Sequence, residues 1–585
     1  MICGKSIGIL AEMSEKGLVS ATDVHLAEFL VSLERNLSEN EKTFFAAVTA
    51  LVSNGVAGGK ICLVEKDISE FAEKNAELMK YLPGFSFEKV AEIFGKSSCC
   101  TGKPEEEFRP LVSLKNGIYF YKYWLYESSL AAKMAEISKE NGRYSGSSDE
   151  MEKIFNKLFD AENSEQHEAA KTAVKNRFSV ITGGPGTGKT TIIAKILIGI
   201  ATLFPQDRVM LAAPTGKAAA RMTDALKNAV SGIRRISDAA RSEILDGIGA
   251  LEGMTIHRML DWKFGRFSQN RENPLAADVV IIDEAGMLDV ALFNSLLDAL
   301  GHDASLILLG DKDQLASVGA GNVLSDICGA AEKNLLPPEI VAKLEKSYRF
   351  NSSSGIGKLA KAVNEQKSAK EIIEICKTES DCGWFGIENE KALENIAFDA
   401  AGRYGFLFDK DSSPEEILER LNDYKVLVPS KEDSFGVTEL NRKIESELGR
   451  NSENGLYDGM PIMVTKNDYR NNLMNGDCGV ILERNGRKSA YFIVGNSLKS
   501  FNISSLVSFE TVYAMTIHKS QGSEYDSVLI VLPKTEMPIL TKEILYTAVT
   551  RAKKEVKIAA KDGVLDYTLR RNAERNSGFE EALNS

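Results

Sequence analysis

The sequence predicts an α/β fold with two parallel-sheet domains, a small β-barrel inserted into the second of them, and a mixed α/β region at the N-terminus. Short apolar runs that end in Gly, Pro, Asp or Thr each precede a helical segment, as in "RFSVITGG", "RVMLAAPT", "DVVIIDEA" and "SLILLGD". The same rhythm returns later in "DYKVLVPS", "DSVLIVLP" and "EVKIAA". Such alternation is typical of parallel strands joined by crossover helices. Within the second group, Gly-rich turns separate short strands such as "GMPIMVTKND" and "SAYFIVGN", which predicts the inserted barrel.

Three regions follow from this texture, because 585 residues are too many for one hydrophobic core. We place an N-terminal domain at residues 1–125, a first parallel-sheet domain at 126–350 and a second at 351–585, with the barrel at about 436–513. The N-terminal region alternates helical segments with strand-like runs such as "KICLV" and holds no catalytic signature. We therefore expect it to dock a partner.

Composition places the chain among ordinary globular proteins, with 43% hydrophobic and 26% charged residues. It has no apolar run of membrane-spanning length and no N-terminal apolar segment followed by a cleavage site. Eight scattered cysteines without a C-x-x-C pair predict a reduced cytoplasmic protein. The net charge of −12 argues against coating nucleic acid through bulk charge, but it permits a narrow basic channel.

A phosphate-binding loop is the most specific motif. "GGPGTGKT" matches G-x-x-x-x-G-K-[ST], follows an apolar run and opens the helical segment "TTIIAKILIGIA". Its glycines let backbone N–H groups converge on phosphate oxygens, while Lys189 would reach the β- and γ-phosphates of ATP and Thr190 would bind Mg²⁺. The residues expected to bind the nucleotide here are Gly183, Gly184, Pro185, Gly186, Thr187, Gly188, Lys189, Thr190 and Thr191. The alternative, a Gly-rich turn that only caps a helix, is disfavoured by the full match in this context.

Two carboxylates follow the apolar run in "VVIIDEAG". Asp283, at the end of the strand, is placed to hold Mg²⁺ together with Thr190. Glu284 is placed to polarise the attacking water, so that the nucleotide is hydrolysed as well as bound. Two acidic residues after a strand are also typical of a solvated helix start, but the phosphate loop upstream favours the catalytic interpretation.

Three further side chains are candidates for acting on the γ-phosphate: Gln314 in "LLGDKDQLASVGAG", Arg349 in "KSYRF" and Arg551 in "YTAVTRAKK". A glutamine at a strand end can position water, and an arginine contributed across a domain cleft can neutralise charge that develops on the phosphate. Each residue alone is weak evidence, because such residues are common in loops and on surfaces. The interpretation depends on the whole set.

Taken in order, the motifs from Gln166 to Arg551 resemble those of superfamily 1 helicases, including "APTGKAAARM", "MTIHRML" and "TIHKSQGSE". The resemblance implies two RecA-like motor domains that close on ATP and move along a single strand. It implies that Gln166 recognises adenine and that Gln521, Gly522 and Glu524 link the grip on nucleic acid to the state of the nucleotide. The residues it places on nucleic acid are Pro214, Thr215, Lys217, Arg221, Thr255, His257, Arg258, Thr516 and His518.

The segments "GDKDQLASVGAGNVLSDIC", "KSYRFNSSSGIGKLA" and "FGVTELNRKIE" further resemble the RecD family, the α subunits of bacterial RecBCD helicase-nucleases. This resemblance implies 5′→3′ movement on single-stranded DNA from duplex ends during double-strand-break repair and recombination. It implies an SH3-like barrel and a heterotrimer with RecB-like and RecC-like subunits, in which the nuclease site belongs to the RecB-like chain. "PLVSLKNGIYFYKYWLYE" resembles the end of the domain that docks on the RecC-like subunit.

The sequence departs from the family pattern at two places. Gly286 stands where relatives usually have Ser, so a hydroxyl that could couple hydrolysis to domain motion is absent. No aromatic residue follows "GDKDQL", where 3′→5′ relatives place one that stacks on a base. The second departure fits a 5′→3′ motor that tracks phosphates.

Three alternatives remain open from the sequence. A free-standing RecD-like helicase would carry a longer N-terminal extension, whereas only about 180 residues precede the phosphate loop here. An ATPase clamp that grips nucleic acid without unwinding it could dispense with Glu284 and Arg551, and both are present. An RNA helicase is a third alternative, since the sequence does not show which side chain would contact a 2′-hydroxyl.

Overall fold

The structure, a computed structural model, describes residues 4–233, 253–349, 354–387, 391–452, 455–468, 470–495 and 497–584. The helices are α1 Gly4–Glu15, α2 Ala21–Leu33, α3 Glu39–Ala57, α4 Glu65–Lys74, α5 Phe87–Lys96, α6 Tyr121–Ile137, α7 Ser148–Leu158, α8 Ser164–Lys175, α9 Lys189–Leu203, α10 Gly216–Gly232, α11 Ile256–Met259, α12 Val290–Ala299, α13 Val323–Glu332, α14 Gly355–Asn364, α15 Ala369–Thr378, α16 Lys391–Tyr404, α17 Pro414–Leu421, α18 Val437–Glu447, α19 Lys542–Val549, α20 Asp562–Arg570 and α21 Phe579–Leu583.

The strands are β1 Cys62–Leu63, β2 Cys100–Thr101, β3 Leu111–Leu114, β4 Gly117–Phe120, β5 Phe178–Gly183, β6 Val209–Ala213, β7 Met254–Thr255, β8 Trp262–Lys263, β9 Arg266–Phe267, β10 Val279–Ile282, β11 Ser305–Gly310, β12 Val341–Leu344, β13 Cys382–Gly386, β14 Tyr424–Val428, β15 Met460–Val464, β16 Cys478–Arg484, β17 Arg487–Val494, β18 Ser497–Phe501, β19 Phe509–Thr511, β20 Ala514–Thr516, β21 Tyr525–Val531 and β22 Ala552–Ala560.

The first lobe is built on a six-stranded sheet in the order β12-β5-β11-β10-β6-β7, in which every pairing is parallel. Successive residues of one strand enter different cores: Val280 and Ile282 lie in one apolar cluster, whereas Val279 and Ile281 lie in another. Because side chains alternate along a strand, this division shows that helices cover the sheet on both faces. The continuous apolar runs in the sequence have this cause.

The second lobe repeats this arrangement with a five-stranded parallel sheet in the order β13-β22-β21-β14-β20. Leu427 faces one apolar cluster, and its neighbours Val426 and Val428 face the other. The predicted α/β class and its two parallel sheets are therefore confirmed. Among the helices of the described ranges, none combines the length and apolar character that crossing a lipid bilayer requires.

The insert in the second lobe is an antiparallel sheet in the order β18-β17-β16-β15-β19, spanning residues 460–511. Its own small core includes Ile462, Ile481 and Phe492. Residues 437–447, inside the range expected for the barrel, instead form α18, which packs on the second-lobe core.

The N-terminal region has a four-stranded sheet in the order β1-β4-β3-β2, and α1 to α5 contribute to its main apolar cluster. Five of its side chains belong instead to the core of the first lobe: Ile61, Cys62, Val112, Tyr119 and Trp124. Helix α6 runs across the boundary expected between residues 125 and 126 and packs in that same core. The N-terminal region is thus joined to the first lobe by shared packing.

The chain ends in a segment that we call the C-terminal strap, residues 571–584, which leaves the second lobe and returns to α6. Phe579 is buried in the core of the first lobe. The amide of Gly578 donates to both carboxylate oxygens of Glu127, at 2.9 Å each. A Cβ on Gly578 would lie only 2.2 Å from the hydroxyl of Tyr119, so the strap fits against the N-terminal sheet without spare room.

Glu127 is a carboxyl whose ionisation is costly, because only 2% of the residue is exposed. Burial raises its pKa to about 8, with Asp326 and Glu581 adding in the same direction and hydrogen bonds from Gly578 and Ser577 opposing. Burial likewise raises the pKa of Asp326, beside the strap, to about 7. In the folded protein both carboxyls therefore keep protons at pH values where the unfolded chain has lost them.

We expect Glu127→Gln to flatten the pH dependence of stability. A raised pKa contributes stability that is complete below the ordinary value of 4.5 and is lost as the pH rises through about 8. The wild-type free energy of unfolding should therefore fall by up to a few kcal/mol from about pH 5 to about pH 8, with Asp326 contributing the part that remains in the variant. Urea titrations across this range measure the slope. Glu136→Gln, on an exposed position of α6, is the control, and equal slopes in wild type and Glu127→Gln would contradict the assignment.

Candidate functional site

The phosphate loop, residues 183–190, joins β5 to α9 along a tight backbone path. Gly186 and Gly188 have φ angles of +76° and +86°, in the region that favours glycine. A Cβ on Gly186 would lie 2.3 Å from the Cβ of Arg349, and one on Gly188 would lie 2.2 Å from Nε2 of Gln166. Both positions therefore require glycine for conformation, and Gly186 requires it for space as well.

Lys189 folds over this loop. Its Nζ donates to the carbonyl oxygens of Gly183 and Gly184, at 2.6 and 3.1 Å. A cation at a helix N-terminus, beside converging backbone N–H groups, favours an anionic phosphate as ligand. Gln166 braces the same loop, because its Nε2 donates to the carbonyl of Thr187 at 2.9 Å.

Asp283 follows β10, beside the phosphate loop. Burial and the charge of Glu284 raise the pKa of Asp283 to about 6, and the charge of Lys189 opposes that rise. The described residues hold no cluster of three or more His, Cys, Asp or Glu side chains that could bind a metal unaided. Mg²⁺ commonly takes one or two protein oxygens and completes its shell with phosphates and water. A carboxylate at Asp283 and a hydroxyl at Thr190 fit that role.

Glu284 has a positive φ of +53°, which is uncommon for a residue with a side chain and costs on the order of 1 kcal/mol. Its amide donates to Oδ1 of Asp283 at 2.8 Å. The strained, hydrogen-bonded backbone fixes the direction in which the Glu284 side chain leaves the strand. Nearby, a Cβ on Gly286 would lie 3.3 Å from the carbonyl oxygen of Asp311, so this position is close-packed as well.

The sensor loop, residues 311–321, is the place where the two lobes meet at the site. Gln314 donates through Nε2 to Oδ2 of Asp311 at 2.9 Å and accepts through Oε1 from Nη2 of Arg551 at 2.8 Å. Arg551, on the second lobe, is only 3% exposed. The hydroxyl of Tyr546, also from the second lobe, donates to Oδ2 of Asp311 at 3.1 Å. These bonds form a continuous chain across the cleft.

The backbone of the sensor loop is also held from the second lobe. The amide of Leu315 donates to Oγ1 of Thr547 on α19 at 2.9 Å, and its carbonyl accepts from Nε2 of Gln521 at 3.0 Å. Side chain and backbone contacts thus fix the same short segment. These contacts couple the position of this loop to the separation of the lobes.

Arg349 approaches the phosphate loop within the first lobe. The preceding residues hold the loop directly, because Ser347 Oγ donates to the Pro185 carbonyl at 3.2 Å and the Tyr348 amide donates to the Gly186 carbonyl at 2.8 Å. The guanidinium of Arg349 pairs with Glu524 of the second lobe at 2.6 Å. The predicted pair of arginines therefore reaches the cleft from both lobes.

Two tyrosines at this site escaped the sequence-based prediction. Tyr348 is 44% exposed, and its hydroxyl donates to Oδ1 of Asn163 at 2.6 Å. Tyr546 is buried, and its hydroxyl lies 3.1 Å from the Cβ position of Gly184 as well as bonding to Asp311. Each tyrosine lies in a motif that contains a predicted arginine, Arg349 or Arg551. This closeness in sequence is the signal by which they could have been found.

The predicted nucleic-acid residues of the first lobe lie at one edge of its sheet. The hydroxyl of Thr215 caps α10 by accepting from the amide of Ala218 at 3.2 Å, and that of Thr255 accepts from the amide of Arg258 at 3.2 Å. Strands β6 and β7 are parallel neighbours with Ala213 opposite Thr255, so both threonines follow or end strands at the same edge. Pro214 is half-buried beside them.

Lys217 and Arg221 make contacts between the lobes. Lys217 Nζ donates to the Gly476 carbonyl in the insert at 3.2 Å, and burial lowers its pKa. Arg221 donates to the carbonyl of Gly522 in the second lobe. Contact of these two cations with nucleic acid stays a prediction, and in this arrangement their side chains hold the second lobe.

The remaining candidates are Thr516 and His518 in the second lobe and His257 and Arg258 in the first lobe. Thr516 accepts from the amide of Lys519 at 3.4 Å. Burial, with the nearby charge of Arg575, lowers the pKa of His518, which favours its neutral form. His257 and Arg258 are exposed on α11.

A short hairpin formed by β8 and β9, residues 262–267, was not among the predicted sites. Phe264 at its tip is fully exposed and Trp262 is 49% exposed. The rings of Trp262 and Phe267 lie 4.6 Å apart, and the ring of His257 lies 5.7 Å from that of Phe267. The alternation of aromatic and basic residues in "WKFGRF" was the available signal, because such a pattern is typical of surfaces that contact single-stranded nucleic acid.

The two parallel sheets, with a phosphate loop on one and a buried arginine from the other bonded beside it, define a two-lobed P-loop nucleotide hydrolase. Family models agree with that class: residues 166–320 match an AAA domain, and residues 511–559 match a UvrD-like helicase C-terminal domain. The chain belongs to the RecD family. It is 32% identical to the RecBCD enzyme subunit RecD of Mycolicibacterium smegmatis, over 97% of this chain and 98% of that one.

Two further relatives bear on the assignment. The RecBCD enzyme subunit RecD of Mycobacterium tuberculosis H37Rv is 31% identical over 99% of this chain and 97% of its own length. The ATP-dependent RecD2 DNA helicase of Deinococcus radiodurans is 29% identical, over 65% of this chain and 46% of its own length.

Proposed function

We propose that this chain is an ATP-driven 5′→3′ translocase and helicase on single-stranded DNA, acting with RecB-like and RecC-like partners in a RecBCD-type enzyme at DNA double-strand breaks. The observation that carries the proposal is the 2.8 Å hydrogen bond from Arg551 of the second lobe to Gln314 of the first. Because this bond joins the lobes beside the phosphate loop, binding and hydrolysis of ATP can change their separation.

In hydrolysis, the residues of this chain have separate roles. The phosphate loop binds the β- and γ-phosphates, Lys189 places a positive charge on them, and Glu284 orients and deprotonates the attacking water. Arg551 and Gln314 stabilise the charge that develops on the departing γ-phosphate. Thr190 and Asp283 would hold Mg²⁺, which when bound neutralises phosphate charge. Arg349 and Glu524 connect the phosphate loop to the second lobe.

The proposed DNA-binding surface lies at the sheet edge where α10 and α11, the helices capped by Thr215 and Thr255, begin. The DNA strand would pass over the carboxyl edges of both β-sheets, near Thr215 and Thr516. Ligands of open parallel sheets bind at this edge. Lys217 and Arg221 bind carbonyls of Gly476 and Gly522, so opening of the lobes would free these two cations for phosphates. We propose that the exposed rings of Trp262 and Phe264 stack on bases at the end of that path. The insert, which we propose to be an SH3-like barrel, closes the path above α10.

The subunit assignment is favoured over a free-standing helicase. Relatives named as RecBCD subunits match 97–99% of this chain, including the N-terminal region, whereas the RecD2 relative matches 65% of it. We propose that the N-terminal region docks on the RecC-like subunit and that the nuclease site belongs to the RecB-like subunit. The cytoplasm, where bacterial chromosomal DNA lies, is the proposed site of action.

The test is unwinding of duplexes that carry either a 5′ or a 3′ single-stranded overhang, with and without RecB-like and RecC-like chains. We expect ATP-dependent unwinding from the 5′ overhang and co-purification of the three chains. A chain that unwinds only from the 3′ overhang, or that moves on RNA in preference to DNA, would contradict the proposal. DNA-stimulated hydrolysis without any unwinding in the complex would favour the clamp alternative.

Tyr348 gives a separate prediction about the nucleotide base. The backbone amide of Tyr348 is bonded to the phosphate loop and its hydroxyl is bonded to Asn163. These two bonds fix the exposed ring beside the site. We expect Tyr348→Ala to raise KM for ATP about tenfold with little change in kcat, since stacking of a base on an aromatic ring is worth roughly 1–3 kcal/mol. Tyr348→Phe keeps the ring and should retain a KM near that of the wild type. Equal KM values for all three proteins would exclude a stacking role.

A further inference from the structure

The C-terminal strap grips the sensor loop at the end opposite Gln314. Arg575 donates through Nη1 to the carbonyl of Gly319 at 2.9 Å and through Nη2 to the carbonyl of Ser317 at 2.8 Å. These carbonyls flank Val318, whose side chain is 81% exposed. A planar guanidinium that donates to two carbonyls of one loop holds that loop in a single shape.

The N-terminal region closes on the same guanidinium from the other side. A Cβ on Gly59 would lie 1.5 Å from Nη1 of Arg575, so the backbone of Gly59 packs directly against it. The carbonyl of Gly59 accepts from the amide of Gly321 at 2.9 Å, and the amide of Ile61 donates to the carbonyl of Asn576 at 2.9 Å. Three segments distant in sequence thus meet at one arginine.

An ion pair and a hydrogen bond reinforce this junction. Lys60 Nζ lies 2.9 Å from Oε2 of Glu574 and also pairs with Asp67 on α4. Asn576 Nδ2 donates to Asp67 at 2.7 Å. Strap and N-terminal region therefore form one connected surface against the sensor loop.

The sensor loop is short, so its two ends are mechanically linked. Gln314, which bonds to Arg551, and Leu315, which bonds to Thr547 and Gln521, lie only a few residues before the carbonyls that Arg575 holds. A displacement at Ser317 must be accommodated at Leu315. The position of the N-terminal region is in this way connected to the nucleotide site.

We propose that Arg575 is a positioning residue, through which the N-terminal region sets the shape of the sensor loop and hence the rate of nucleotide hydrolysis. This inference rests on the proposed function for the identity of the reaction. Arg575 does not touch the reacting groups and acts by fixing the loop that carries Gln314. A protein bound to the N-terminal region that shifts residues 59–61 changes turnover through this contact.

Two variants disturb the junction from opposite sides, and each has a matched control. Arg575→Gln removes the double donor, whereas Arg571→Gln alters an arginine of the same strap that bonds to the Pro538 carbonyl within the second lobe. Gly59→Ala pushes a methyl group into the Arg575 guanidinium. Gly84→Ala imposes a similar strain, because Gly84 also has a positive φ, +70°, but no neighbouring atom lies within 4 Å of its Cβ position.

The experiment measures DNA-stimulated ATP hydrolysis and amide hydrogen exchange of peptides covering residues 315–321 in the full-length chain. We expect Arg575→Gln and Gly59→Ala to lower kcat about tenfold, as for loss of a charged hydrogen bond, to leave KM for ATP within about twofold, and to speed exchange in this loop. Arg571→Gln and Gly84→Ala should match the wild type in all three quantities.

Unchanged loop exchange in both junction variants would overturn the positioning role, and faster exchange with unchanged kcat would overturn its link to hydrolysis. An equal loss of kcat in Gly84→Ala would show that backbone strain, and not the contact with Arg575, causes the effect. Absence of DNA-stimulated hydrolysis in the wild-type chain, both alone and together with RecB-like and RecC-like chains, would refute the proposed function, while the exchange measurement would still decide whether Arg575 positions the loop.

Discussion

Replacing Lys189 with Gln is expected to lower the rate of ATP hydrolysis at least about a thousandfold and to abolish unwinding, because the site loses the charge that the phosphate loop holds against the phosphates. The bonds that Gln166, Ser347 and Tyr348 make to the loop remain, so the loop should keep its shape. Binding of single-stranded DNA should change little, since residues other than Lys189, such as Thr215 and Thr516, are proposed to contact it. DNA-stimulated ATPase assays and anisotropy of a labelled oligonucleotide measure the two effects.

Lys171→Gln is the control for this change. Lys171 lies on α8 in the same lobe and pairs at 3.3 Å with Glu152 and Glu168. Surface pairs of this kind contribute little to stability, so hydrolysis should stay near the wild-type rate. Hydrolysis at the wild-type rate in Lys189→Gln would remove the assignment of the phosphate loop.

The second large effect is expected for Arg551→Lys, which should lower kcat roughly 100- to 1,000-fold with a small change in KM for ATP. The Arg551 guanidinium donates to three partners at once, Gln314 Oε1, the Ser523 carbonyl and the Thr547 carbonyl. A lysine keeps the charge but cannot reproduce that planar set of donors. Steady-state kinetics at saturating DNA give the two constants.

Arg403→Lys provides the matched comparison, because Arg403 is a half-buried arginine whose bonds to Ser527 and Glu555 remain within the second lobe. It should alter thermal stability more than turnover. Melting temperatures for both variants separate loss of folding from loss of catalysis. A kcat for Arg551→Lys within about twofold of the wild type would show that this arginine does not act on the γ-phosphate.

The sheets could be predicted because their physics is local. A parallel strand covered on both faces needs consecutive apolar residues, and "VVII" at 279–282 and "SLILLG" at 305–310 satisfy that need. The phosphate loop could be predicted as well, because the positive φ angles at Gly186 and Gly188 require glycine. In both cases one short window of sequence contains the whole cause.

What could not be predicted depends on residues far apart in the chain. The apolar spacing of Val437, Leu440 and Ile444 is typical of a helix. The Gly-rich strands that follow nevertheless favour a barrel that begins at residue 436, and the helix is therefore missed. Contact of Lys217 with a nucleic-acid phosphate stays a prediction, but its bond to a carbonyl 259 positions later could not be predicted. Tyr348 showed no chemistry of its own in the sequence, because its place beside the loop depends on Asn163 and Gly186. Pairings of this kind leave no periodicity to detect.

The bond between Glu127 and Gly578 spans 451 positions, and this has a consequence for biosynthesis. At synthesis rates of roughly 5–20 residues per second, α6 leaves the ribosome about 20 to 90 seconds before its covering segment exists. During that interval one apolar flank of the nascent first lobe is exposed to solvent, so a ribosome-associated chaperone can bind there. A chain that lacks residues 571–584 would leave this flank uncovered, which favours aggregation.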